Sequence, residues 1–185
     1  PDRDLDMEVI VRVLNGEIPL KIHAHRADDI QTAVRIAKEF NIRYTLDHCT
    51  EGHLITDFLK REGATVIIGP YLTERTKIEL RNLTFRAPGI LSKAGIKVAM
   101  MTDHPITPTQ YLPLCAGIAV REGMEEGEAM KMITINAAEA VGLSDRVGSI
   151  APGKDADLVV FDGHPFDTRT HVRWVLIDGA IVKGP

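Results

Sequence analysis

Several residues able to bind a cation fall beside short apolar runs. His23 and His25 close the run LKIHAH, His48 follows YTLD, and Asp103 and His104 follow the run KVAM in MMTDHP. Two imidazoles and a carboxylate suit a first-row divalent metal. Neutral imidazole nitrogen and carboxylate oxygen are its common donors, and three protein ligands leave a position for water. Such an ion lowers the pKa of a bound water toward ~7, which makes a nucleophile at neutral pH. His23, His48 and Asp103 are the set whose placement suggests this chemistry. Each also has a plainer reading. A histidine at a strand end commonly serves a structural hydrogen bond, and an aspartate after a strand commonly caps the next helix.

His25 stands two residues from His23, and on a regular strand both side chains face the same way. The pair could form a bidentate clamp, or His25 could have left the strand to line the pocket. His104 is read as a pocket neighbour as well. His53 is expected to be solvated near a helix start, and His164 and His171 to lie on the surface. Cys49 follows His48 directly but has no thiol-protease context, so a buried spectator is expected. GATVIIGP lacks the G-x-x-x-x-G-K-[ST] pattern of a phosphate loop, and its Gly69-Pro70 reads as a turn.

These positions gain meaning from the elements that must hold them. Leu20–Ala24 reads as a buried strand. Asp28, with Gln31 three residues on, reads as the cap of a helix that buries Ile30, Ala33, Val34, Ala37 and Phe40 and ends at Asn41. Arg43–Asp47 is the next strand. Leu54–Glu62 follows as one helix closed by Gly63, with Leu54, Ile55, Phe58 and Leu59 on one face. Thr65–Ile68 is a β-branched strand, Ala87–Ala94 a helix stopped by Gly95, and Lys97–Met101 a fourth strand. Tyr111–Val120 and Glu125–Thr134 are further amphipathic helices. This alternation predicts an α/β fold with a parallel sheet and helical crossovers. Ligands in such folds sit at the C-terminal strand ends. His48 comes 25 residues after His23, about one βα unit, and Asp103 comes 55 residues after His48, about two. All three are therefore expected on one rim. Beyond about Val147 the pattern changes to short strands (Ser149–Ile150, Asp157–Phe161, Val172–Ile177, Ala180–Val182) between Pro/Gly/Asp turns. We therefore divide the chain into residues 1–146 and 147–185, the second part being antiparallel β.

Composition narrows the class. The chain has 185 residues, 44% of them apolar, and a net charge of −4. Its Lys and Arg residues are scattered, which argues against nucleic acid as a partner. No apolar run approaches the roughly 18–20 residues that span a membrane. The acidic start, PDRDLDMEV, lacks an apolar h-region, so no signal peptide is expected. Two cysteines, Cys49 and Cys115, make no disulfide framework, and a reducing, cytoplasmic setting is expected. The helical stripe Val9, Ile10, Val13 and Leu14 has nothing before it to pack on, which suggests a fragment of a longer chain.

Four segments carry a family resemblance: LKIHAHRADDI, LDHCTEG, VAMMTDHPITP and ITINAAEAVGLSDRVGSIAPGKDADLVVFDG. From about Leu20 to Val182 the chain resembles the amidohydrolase superfamily, most nearly its imidazolonepropionase-like branch. The resemblance implies the C-terminal half of a (β/α)8 TIM barrel, strands five to eight, plus part of a small β-sandwich. It implies that His23 is the strand-five metal ligand. His48, on strand six, would bind metal or polarise the substrate carbonyl. Asp103, on strand eight, would be both metal ligand and proton shuttle. His25 and His104 would be pocket neighbours. The family also carries an HxH pair on strand one. Only two strands separate His23–His25 from the Asp103 strand, so the strand-five register is preferred; the strand-one pair lies outside this chain.

The expected activity is hydrolysis of a C–N bond (amide, cyclic amide or deamination) in a small-molecule substrate by a metal-activated water. Zinc is the expected metal, with iron or manganese as alternatives. The rival expectation is a non-catalytic α/β fragment or decayed homologue without bound metal. Four barrel strands leave two open edges, so the chain is expected to be held by another copy, as a homo-oligomer, or by the missing N-terminal half of the same protein.

Overall fold

The computed structural model describes residues 4–184. Helix α1 (Leu5–Leu14) is capped by Asp4, whose side chain accepts from the Asp6 and Met7 amides. Of its apolar residues only Val13 is buried. Four βα steps follow. Strand β1 (Leu20–Ala24) leads to helix α2 (Ala27–Glu39), and β2 (Tyr44–His48) to α3 (Thr56–Glu62). Strand β3 (Val66–Ile68) leads to α4 (Ala87–Lys93), and β4 (Val98–Met100) to α5 (Leu112–Arg121). The four strands lie in sequence order and pair in parallel. Helices α6 (Glu126–Met132) and α7 (Ile135–Ala140) pack on this sheet and lead to the second one.

The apolar periodicity explains the layers. Ile30, Ala33, Val34 and Ala37 repeat every three to four residues and form the buried stripe of α2. Ile30, Ala33 and Val34 meet Leu46, Val66, Ile68 and Val98 from the sheet and Leu59 and Leu91 from α3 and α4 in one core. Both short strands β3 and β4 are buried at every residue, as parallel strands covered on both faces must be.

Three expectations need correction. Phe40 is the C-cap residue of α2, past its last turn, and is 56% exposed rather than buried. The single helix expected over residues 54–62 is broken at Ile55, whose φ of −131° and ψ of 38° are not helical. A 3-10 turn, Gly52–Leu54, therefore precedes α3, and Leu54 points to solvent. Ser149–Ile150 forms no strand, and Ile150 is 90% exposed. Helix α7 is an element that the apolar pattern does not announce. Its Asn136 is buried and donates through Nδ2 to the Val98 carbonyl at 2.9 Å, tying the helix to β4.

The tail forms a three-stranded antiparallel sheet of β5 (Leu158–Phe161), β6 (Val172–Ile177) and β7 (Ala180–Lys183). Asp178 and Gly179 turn β6 into β7 with positive φ at both positions, the geometry of a tight hairpin. Phe166, between β5 and β6, packs against the main core. Among the described residues no helix is long and apolar enough to cross a membrane.

Candidate metal centre on the strand-end rim

Register sets the height of each candidate residue. His23 pairs with Asp47, and Ala24 with His48; His48 in turn pairs with Ile68, and Ile68 with Met100. The strands thus end at one level. Their next residues, His25, Cys49, Gly69 and Met101, form the first turn of the rim. The backbone is unusual there. His48, Cys49 and Asp103 all have positive φ (70°, 44° and 51°), a conformation that non-glycine residues adopt at a cost and that concentrates at functional sites.

The structure brings three imidazoles together. The ring centroids of His23 and His48 lie 4.2 Å apart, those of His25 and His48 4.6 Å, and those of His23 and His25 4.7 Å. One ligand nitrogen from each lies within 4.8 Å of the others. His25, which the sequence left between clamp and pocket lining, therefore stands with His23 and His48. Asp103 is not one of the three. It follows β4 on the same rim, exposed, and its charge acts on His48. His104 is exposed beside it.

Hydrogen bonds fix which nitrogens are available. His48 Nδ1 lies 2.7 Å from the Gly69 carbonyl oxygen. A carbonyl only accepts, so Nδ1 carries the proton and Nε2 of the neutral ring keeps a free lone pair. His25 Nδ1 lies 2.7 Å from the Thr50 hydroxyl, and its Nε2 lies 3.8 Å from Glu79 Oε1. Backbone carbonyl and hydroxyl partners of this kind orient metal-binding histidines. Gly69 is obligatory in this arrangement. Its φ is +124°, and a Cβ there would sit 2.1 Å from the Met101 carbonyl oxygen.

Electrostatics favour the neutral form of His25 and His48. Burial, then the neighbouring His48 and His23, push His25 down to about 4, against the opposing pull of Glu79. Burial also lowers His48, although its bond to Gly69 and the charge of Asp103 oppose the shift. Neutral imidazole is the form that binds metal, so the donor set fits a divalent ion. Cys49 does not compete. It is fully buried, and burial pushes its thiol up to about 12.

The other histidines lie apart. His53 is half-buried rather than solvated, because the chain folds it back to place Nδ1 3.1 Å from the Thr50 carbonyl. His164 and His171 are exposed on the tail, where His164 Nε2 lies 3.1 Å from Glu126 Oε1. Thr50, Gly69 and Glu79 escaped the sequence reading. The only cue for Gly69 was the turn pair with Pro70, and Glu79 sits in a long loop without a local pattern.

Parallel strands wrapped by helices, with the polar residues at their C-terminal ends, make a TIM-barrel-type α/β fold. An amidohydrolase from Thermotoga maritima MSB8 superposes on the whole chain with a TM-score of 0.96 at 46% identity, over 48% of that protein's length. The amidohydrolase family model matches residues 11–184, and the chain belongs to this family, on its imidazolonepropionase-like branch. An imidazolonepropionase from Geobacillus kaustophilus is 49% identical over 75 residues, 39% of this chain and 18% of that protein. One from Thermoplasma acidophilum is 29% identical over 153 residues, 81% of this chain and 36% of that protein. The chain thus spans about half the length of the solved relative and less of the two curated ones. Members of this superfamily use divalent metals, and His23, His25 and His48 could bind one.

Proposed function

We propose that this chain carries the metal-binding rim of a hydrolase that cleaves a C–N bond, other than a peptide bond, in a small molecule. The observation that carries the reading is the convergence of three imidazole nitrogens within 4.8 Å on one strand-end rim. In this reading β1 to β4 are strands five to eight of a (β/α)8 barrel. Residues 1–146 are the barrel part, and 147–185 belong to a small β-sandwich. The rest of the barrel comes from a second copy or from another segment of the same protein.

His23, His48 and Asp103 remain the proposed ligand set, with His25 as the added nitrogen donor that the geometry supports. Zinc suits nitrogen-rich sites of this kind, and iron or manganese are the alternatives. The bound ion would supply a water acidified toward a pKa of ~7. Asp103, exposed at the rim, takes a proton as the water oxygen adds to the substrate carbon, and returns it to the leaving nitrogen as the C–N bond breaks. His48 was a candidate for either metal ligand or carbonyl polariser. With its Nδ1 proton held by Gly69, its Nε2 supports the ligand role, because an unprotonated nitrogen donates no hydrogen bond to an oxyanion. His104 and Glu79 line the approach.

Metal analysis tests the reading. We expect about one tightly held divalent ion per chain, lost on His23→Ala. A folded protein without metal would favour the non-catalytic module. In the complete enzyme Asp103→Asn should lower kcat by two orders of magnitude or more, about the range of a lost general acid–base group, with KM little changed. Near-normal turnover would remove Asp103 from the mechanism.

A further inference from the structure

Glu51 is a buried carboxylate that the proposed chemistry does not use, with only 6% of its surface exposed. It sits in the loop after β2, and each of its oxygens reaches a different neighbouring loop. Oε2 accepts the Ala27 amide at 2.9 Å, at the start of α2. Oε1 accepts from Asn82 Nδ2 at 2.8 Å, in the loop after β3, and Arg81 Nε lies 3.8 Å from the same oxygen. Its own amide donates to the His25 carbonyl at 2.8 Å. One side chain therefore joins the loops after β1, β2 and β3. The first of these carries His25, and the third carries Glu79, which faces it.

A buried carboxylate is costly unless its oxygens are satisfied, and this one is satisfied only while all three loops hold their present places. The α2 N-terminus has no cap of its own, since its N-cap residue is Arg26 and makes no side-chain cap bond. Asp28, which the sequence offered as the cap, instead pairs with Arg26. Glu51 supplies the acceptor from 24 residues away.

We propose that Glu51 is a positioning residue for the metal centre, holding His25 at its distance from His23 and His48 by bracing the three loops. The proposal rests on the metal-binding reading above. It is tested by titrating the chain with Co2+ and following the d–d absorption, with the melting temperature measured in parallel. Glu51→Ala should weaken Co2+ binding by up to about 10-fold, the lower end of the cost of losing a direct outer partner of a metal ligand because Glu51 acts through its neighbours, and alter the d–d spectrum. Asn82→Asp should do the same by setting two carboxylates against each other. The double variant E51Q/N82D should restore binding to near its original strength. Its amide nitrogen at position 51 donates to the new carboxylate at position 82, while the amide oxygen still accepts from Ala27. A lower melting temperature with unchanged Co2+ affinity and spectrum would overturn the positioning role alone, as would a double variant no better than Asn82→Asp. An unmodified chain that takes up no Co2+ would overturn the metal reading and this role with it.

Discussion

The parallel sheet and the tail sheet solve different problems with similar residues. In β3 and β4 every residue is buried, and positive-φ backbone is concentrated where histidines and an aspartate gather. In β7 every residue is exposed, and β5 is exposed at its two central positions. In the tail sheet the positive φ values, at Asp178 and Gly179, serve a hairpin, not a cluster of side chains. At the rim, positive φ falls on buried His48 and Cys49, where packing can enforce it, whereas in the tail hairpin it falls on an exposed Asp and a Gly, residue types that tolerate it. The tail supplies turns and an apolar anchor, Phe166, whereas the rim is over-determined by its core.

Glycine variants break the comparison most sharply. Gly69→Ala should cost more than about 3 kcal/mol, since strained backbone and a severe backbone clash add. It should also disturb the acceptor of His48. Gly179→Ala, where the nearest atom to a new Cβ is 3.9 Å away, should cost only about 1–2 kcal/mol, from backbone conformation alone. Urea unfolding measures both, and equal costs would erase the distinction.

Core substitutions come next. Ile68→Ala, at a fully buried site, should lose about 2–5 kcal/mol. Ile181→Ala, with 61% of the residue exposed, should stay within about 0.5 kcal/mol. A large loss at Ile181 in this chain would mean that the tail sheet is covered in solution.

The remaining effect is a pH dependence to which the buried His25 contributes. Unfolded His25 titrates at about 6.5, but the folded residue resists protonation down to about 4. Between these values the unfolded state binds more protons, so stability falls as pH drops from about 6.5 to about 4. His25 adds no further loss below that. Metal-free protein should show this slope in urea midpoints, and His25→Gln should make it shallower, leaving the part that the lowered His48 and His53 contribute.

Much of the frame was legible in the sequence because apolar spacing is local. Ile30, Ala33, Val34 and Ala37 declare α2, and a β-branched run declares β3, with ends within a residue or two. Breaks that depend on one backbone angle were not legible. Ile55 splits a helix whose apolar pattern continues through it, and Thr134, with ψ of −99°, separates α6 from α7. At the rim, strand ends pointed to His23 and His48. The place of His25 depends on how the chain leaves β1, and the cap of α2 comes from Glu51, in the next βα unit. Neither is encoded within one helical turn.

The thiol beside His48 shapes what the rim can hold. Cys49 turns its sulfur into the core, where the Cβ position at Gly52 is its close neighbour, and both cysteines are free and buried. Among the described residues the rim thus presents no thiolate. Peroxide meets no ready sulfenic-acid precursor there, and thiophilic ions such as cadmium or mercury lose the anchor that would let them displace a borderline metal.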